Sequence, residues 1–226
     1  MTGPGSSDLL EKVGLVLFSR GGNVVSADPC YMSLINVISS IGGEWKSLKL
    51  TPNFEHDLDA MISAIDSNTK LAYITNPNNP TATSTNKDKL YKFCDLASKK
   101  VPVFVDEAYH EYVMDKQYRS MVSLVSEGYD VLISRTASKV HGLAGLRVGY
   151  AISTPKIIKR LNSYMNGSLN VVGLRGAIAS YKDKRFQKFS IEKNNEGRTI
   201  VTNYLDKKGI EYLDSQTNFI FIKTGI

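Results

Sequence analysis

Lys139 and Arg147 stand eight residues apart in the stretch Thr136-Ala-Ser-Lys-Val-His-Gly-Leu-Ala-Gly-Leu-Arg-Val-Gly-Tyr150. A lysine amine becomes a carbonyl-trapping nucleophile when desolvation or a nearby cation favours its neutral form. Arg147 supplies a permanent, forked cation suited to a phosphate dianion. Thr136 and Ser138 place hydroxyls beside the lysine, and Gly142, Gly145 and Gly149 let the backbone turn and a bulky ligand approach. A lysine taken at random is a solvated surface residue. Here Asp130–Ser134 reads as a short buried strand leading in and Leu146–Ile152 as another leading away. Lys139 therefore falls at a strand end, where parallel sheets place their ligands.

Three more blocks carry usable chemistry. Gly5-Ser-Ser-Asp8 precedes a helical pattern, so its backbone N–H groups and the helix dipole can receive an anion, although Ser6 or Ser7 as a simple N-cap explains it equally well. Asn76-Pro-Asn-Asn-Pro-Thr81 is a strong turn signal that can also present an amide. Val105-Asp-Glu-Ala-Tyr109 ends an apolar run with a carboxylate and a phenol; turn chemistry alone explains such an aspartate about half the time. Glu107, His110, His56 and His141 do not form a metal-ligand spacing, and neither Rossmann glycine spacing nor a phosphate-binding P-loop occurs. An amine joined to a phosphate clamp suggests pyridoxal phosphate, and no metal.

The segment Ser138–Tyr150 resembles the lysine motif of class I/II aminotransferases, among the fold-type I pyridoxal-phosphate enzymes, and within them the histidinol-phosphate aminotransferase branch. The other three blocks follow in that family's order, so the resemblance covers nearly the whole chain. It implies pyridoxal 5'-phosphate as cofactor, and transfer of an amino group between a small-molecule amino donor and a 2-oxo acid. It also implies amino-acid biosynthesis and a homodimer, while Met1-Thr-Gly-Pro-Gly5, without the basic and apolar layout of a signal peptide, sets the cytoplasm as the expected location. By the same resemblance Lys139 is the imine-forming and proton-moving residue, and Asp106 the partner of the pyridinium nitrogen. Tyr109 and Asn79 would serve the ring's phenolic oxygen, and Tyr31 would stack on the ring. Ser6, Ser7, Thr136, Ser138 and Arg147 would cup the phosphate. Two departures stand out. Ala82 occupies a position where the family usually has glycine. The family also has an N-terminal arm and strand before the Gly-Ser-Ser turn, and a full small domain bearing a substrate-gripping arginine. Both are expected to be missing, leaving a chain truncated at each end. A noncatalytic pyridoxal-phosphate-binding remnant, and a decarboxylase or lyase on the same scaffold, remain open readings.

The elements that must position these residues alternate along the chain. Helical patterns at Asp8–Phe18, Tyr31–Ile41, Leu58–Ile65 and Lys87–Lys99 interleave with strands at Asn23–Ser26, Glu44–Leu50, Lys70–Thr75 and Val101–Val105. This rhythm predicts an α/β fold with a mostly parallel sheet and helices on both faces. After Ile152 helices dominate, at Pro155–Tyr164, Val171–Tyr181 and Phe186–Lys207, followed by strand-like Gly209–Leu213 and Asn218–Lys223. The expected organisation is a pyridoxal-phosphate-binding large domain over 1–152, connecting helices over 153–180, and the start of an α+β small domain over 181–226.

Composition narrows the setting. The 226 residues are 42% hydrophobic and 22% charged, an ordinary globular balance. Val13–Phe18 is too short to span a bilayer, so no membrane partner is expected. Cys30 and Cys94 are read as free thiols. The net charge of +6 is uneven: residues 151–226 hold 13 Lys or Arg against 6 Asp or Glu. Lys182–Lys193 mixes those charges at helical spacing, which reads as a solvated helix face rather than a nucleic-acid surface.

Overall fold

The computed structural model describes residues 1–164 and 170–224; residues 165–169, inside the connecting stretch, and 225–226 lie outside it. Seven strands form one sheet in the order β1-β7-β6-β5-β4-β2-β3. They are β1 (Thr2–Gly3), β2 (Asn23–Asp28), β3 (Glu44–Lys49), β4 (Thr69–Thr75), β5 (Val103–Asp106), β6 (Val131–Thr136) and β7 (Gly149–Ile152). The strands β3, β2, β4, β5 and β6 run parallel, whereas β7 is antiparallel to both β6 and β1.

The side-chain alternation of β4 divides the core. Leu71 and Tyr73 face a cluster with Leu10 and Val13 of α1 (Ser6–Phe18) and Ile35 and Ile38 of α2 (Ser33–Ser40). Ala72 and Ile74 face the opposite cluster, with Met61 of α3 (Leu58–Ala64), Leu90 and Phe93 of α4 (Lys87–Ser98), and Leu124 of α5 (Val122–Ser126). The sheet is thus covered on both faces, as expected for an α/β fold of this kind. Asn86 caps α4 by accepting from the N–H groups of Asp88 and Lys89, and Asp57 caps α3 by accepting from that of Ala60.

Beyond β7 lie α6 (Pro155–Asn162), α7 (Val171–Lys182) and α8 (Lys184–Lys208). The Asp183 side chain caps α8, and Gly209 ends it at φ 64°. Charges on α8 pair along the helix, Lys193 with Glu196 at 2.6 Å and Lys188 with Glu192 at 3.7 Å.

Three expectations need correction. A short strand does precede the Gly-Ser-Ser turn: Thr2 and Gly3 pair with Tyr150 and Gly149. Ser6 and Ser7 are not N-caps but the first two helical residues of α1; Gly5 occupies the cap with no side-chain hydrogen bond. Gly209–Leu213 and Asn218–Lys223 do not form two strands. They meet in a single antiparallel bridge, Tyr212 to Ile222, flanked by Leu213 N–H to Phe221 O at 2.9 Å and Lys223 N–H to Glu211 O at 2.8 Å. An isolated pair of short strands is marginal without a sheet to join.

Candidate functional site

The parallel strands deliver their last residues to one edge. Thr75 of β4 lies opposite Asp106 of β5, and Asp106 lies opposite Ser134 of β6. Ligand crevices in such sheets open beyond the carboxyl ends of the strands. A cavity of about 240 Å³ opens there, lined by Ser6, Ser7, Tyr31, Asn79, Asp106, Tyr109, Thr136, Ser138, Lys139 and Arg147. All ten residues singled out in the sequence come together. Thr75, Pro77, Ala108 and Ala144 complete the lining, and sequence reasoning had given them no role.

One end of the cavity is built around the N-terminus of α1. With Gly5 at the cap, the Ser6 and Ser7 hydroxyls are not consumed by capping and the first-turn N–H groups carry the positive end of the helix dipole. Gly149 lets β7 reach this turn, because a Cβ there would lie 2.5 Å from Gly5 C and Ser6 N. Arg147 closes the same end from a left-handed backbone (φ 54°), with Nη1 donating to Ala144 O at 2.9 Å and Nη2 to Pro4 O at 3.4 Å. Thr136 Oγ1 donates to Ser138 Oγ at 2.9 Å and accepts from the Ser138 N–H at 3.1 Å. Hydroxyls, helix amides and a guanidinium thus converge, the donor set of an anion site.

The other end holds Asp106, which is buried. Burial pushes its carboxyl up to about 6, against the Ser134 hydroxyl and the Ala108 N–H, which hold it down. Ser134 Oγ donates to Asp106 Oδ1 at 2.7 Å. Sequence reasoning missed Ser134; its one signal was a hydroxyl ending the apolar run Val131-Leu-Ile.

Between the two ends, Lys139 Nζ stands 4.9 Å from the centroid of the Tyr109 ring. Asn79 Nδ2 donates to Tyr109 Oη at 3.4 Å. The adjacent Asn78 braces the turn from inside. It accepts from Thr75 Oγ1 and donates to Pro29 O at 3.2 Å and Thr81 Oγ1 at 2.8 Å. The turn accommodates Ala82 in the left-handed region at φ 63°, with its N–H donating to Asn78 O. Gln216 N–H donates to Ala82 O at 2.8 Å, and Gln216 Oε1 accepts from the N–H groups of Met114 and Asp115, each at 3.0 Å. The Phe219 ring meets Tyr109 edge-on at 5.3 Å between centroids. Neither Gln216 nor Phe219 was legible as a site neighbour.

A polar cluster joins the Tyr109 and Lys139 loops from behind. Glu111 Oε1 lies 3.1 Å from His110 Nε2 and 3.6 Å from His141 Nε2, and His141 Nδ1 is 2.8 Å from Ser180 Oγ. Burial pushes the Glu111 carboxyl up, but the contacts from His110 and His141 together outweigh it and bring it down to about 2. Separately, Glu107 receives Arg135 Nη2 at 2.9 Å and Met121 N–H at 2.8 Å, tying β5, β6 and the start of α5 together. Glu107, next to Asp106 in sequence, is thereby a structural residue.

Known proteins share this arrangement of elements. The family model of aminotransferase class I and II matches residues 1–225. Histidinol-phosphate aminotransferase 1 of Bacillus cereus is 35% identical over 225 residues, covering 99% of this chain and 60% of the relative. The Moorella thermoacetica histidinol-phosphate aminotransferase is 35% identical over 223 residues, covering 97% and 57%. The chain thus spans about 60% of the length of the curated relatives it matches. Among solved structures, histidinol-phosphate aminotransferase from Clostridium acetobutylicum superposes with a TM-score of 0.87 at 26% identity, over 99% of this chain and 66% of its own. The Sinorhizobium meliloti enzyme, solved with pyridoxal-5'-phosphate, has a TM-score of 0.93 at 24% identity, over 100% and 61%, and shows the shared fold. The chain belongs to the class I and II aminotransferases.

Proposed function

We propose that this chain holds pyridoxal phosphate and takes part in moving an amino group from an amino donor to a 2-oxo acid, in the manner of a histidinol-phosphate aminotransferase. One observation carries the reading: a single cavity sets an amine between an anion cup and a buried carboxylate. The donor set fits the cofactor. Arg147, Thr136, Ser138, Ser6, Ser7 and the α1 amides would hold its phosphate. Asp106 has no salt-bridge partner among the described residues, and buried carboxylates need one. A protonated ring nitrogen meets that need. Asn79 and Tyr109 would serve the phenolic oxygen, and Tyr31 would lie against the ring.

When bound, pyridoxal phosphate supplies an aldehyde and an electron-withdrawing ring that together loosen the substrate's α C–H bond. The chain's own residues do the rest. Lys139 Nζ would hold the cofactor through its aldehyde, and as an amine facing the cavity it would carry the α-proton as general base and acid. Ionised Asp106 would pair with the ring nitrogen and favour its protonated form. Asn79 and the Tyr109 hydroxyl would donate to the phenolic oxygen, and the Tyr109 ring lies beside the lysine amine.

The curated relatives' similarity favours histidinol phosphate as the first substrate to assay. We further infer a homodimer in the cytoplasm. Two buried free thiols, Cys30 and Cys94, fit that setting. No helix among the described residues is long and apolar enough to cross a membrane. Pyridoxal phosphate should colour the protein, and borohydride should then fix it to the chain at Lys139, read by peptide mass. Equal fixation in Lys139→Ala would overturn the assignment.

A further inference from the structure

Ser134 is a buried hydroxyl at a position where apolar packing would have sufficed. Val131, Leu132 and Ile133 precede it in β6 as core residues, and Ser134 itself is 0% exposed. It is not among the residues lining the cavity. A hydroxyl buried this deeply needs a partner, and its partner is Asp106 Oδ1 at 2.7 Å, across the parallel β5–β6 pair in direct register. Both residues sit on strands in the centre of the sheet, so their relative geometry is rigid. An O–H donor to a carboxylate at this distance is a charge-assisted hydrogen bond, about twice as strong as a neutral one.

We propose that Ser134 is the positioning residue of Asp106: its hydroxyl fixes the carboxylate rotamer and favours the ionised form, so that the cavity presents an oriented anion to the cationic N–H of a pyridine ring. The proposal rests on the pyridoxal-phosphate reading and goes one step deeper. Without the hydroxyl, Asp106 stays buried with one donor fewer. Burial then favours the neutral acid, which pairs poorly with a ring cation. The alternative role, a serine that only fills its place in the strand, would make the same bond matter to packing alone.

The test uses the full chain as wild type, Ser134→Ala, Asp106→Asn and the double variant. Each is titrated with pyridoxal phosphate between pH 5 and 9 and read by visible absorbance, with apo melting curves confirming that each folds. Ser134→Ala should weaken binding roughly tenfold or more, the range for a lost hydrogen bond to a charged group. It should also shift the acid limb of affinity to higher pH. On the Asp106→Asn background the same change should alter affinity less than about twofold, because a residue acting through Asp106 has nothing left to act on. Ser134→Thr, which keeps the hydroxyl, should recover most of the loss where its melting curve shows a folded chain. An equal loss on both backgrounds, or an acid limb that stays in place, overturns the proposal while leaving the pyridoxal-phosphate reading intact. A wild-type chain that binds no pyridoxal phosphate overturns both.

Discussion

Gly5 lies against the guanidinium of Arg147, so closely that a Cβ on the glycine would sit 2.2 Å from Nη2. The backbone there has φ 90°, so an alanine would be strained as well as obstructed. The α1 N-terminus and the arginine thus form one anion-binding unit. Gly5→Ala should weaken pyridoxal phosphate binding at least about tenfold, because a displaced bidentate cation loses charge-assisted bonds. Binding of unphosphorylated pyridoxal should hardly change. Titration of both ligands checks it, and equal losses would place the effect elsewhere in the cavity.

Asp106, buried without an ion-pair partner among the described residues, is a source of instability. Its folded-state pKa is raised from 3.8 to about 6 by burial, so its contribution to stability is fully present below pH 4 and is lost as pH rises through 6. The shift corresponds to about 3 kcal/mol. Asp106→Asn should therefore melt higher than wild type at pH 8 without ligand, by up to that amount. It should show no advantage at pH 4, and it should bind pyridoxal phosphate poorly. Melting curves at the two pH values test the sign.

Glu111 works in the opposite direction. Its pKa falls from 4.5 to about 2, so its stabilising contribution is present above pH 4.5 and is lost as pH falls through 2. Glu111→Gln should lower the melting temperature at pH 7 and flatten the acid limb of the stability profile. Acid unfolding followed by circular dichroism would reveal it. An unchanged acid limb would mean that the contacts with His110 and His141 do not hold in solution.

Ala82 sits at φ 63° with its methyl buried, a conformation that strains any residue with a Cβ. Ala82→Gly should stabilise the turn by about 1 kcal/mol, with part of the gain offset by the lost methyl contacts. Denaturant midpoints of the two proteins measure the difference, and cofactor affinity should stay within about twofold.

Two strand ends were legible because the apolar run stops at a polar block, β4 at Asn76-Pro-Asn-Asn-Pro and β5 at Asp106; the run of β6 stops at Ser134, two residues before the strand ends at Thr136. The four motifs then name the residues that the sheet edge gathers around one cavity. Illegible features had no local signal. The strand β1 is two residues long, too short for alternation, and depends on pairing with residues near position 150. The five-residue α5 is below the length at which helical periodicity can be read. Ser6 and Ser7 read as caps because serine favours that place, but Gly5 with its positive φ takes it. Gln216 reaches Met114 across 102 positions, a contact no spacing rule reveals.

That contact, and the Phe219 ring against Tyr109, mean that the segment from Tyr109 to Met114 is braced by chain synthesised long after it. At ~5–20 residues per second, Phe219 follows Lys139 from the ribosome by roughly 4–16 s. During that interval the nascent chain already carries the lysine and the aspartate, while the ring that packs against Tyr109 is still to come. Tyr109 therefore meets its last aromatic neighbour only after the whole lining of the cavity has been synthesised.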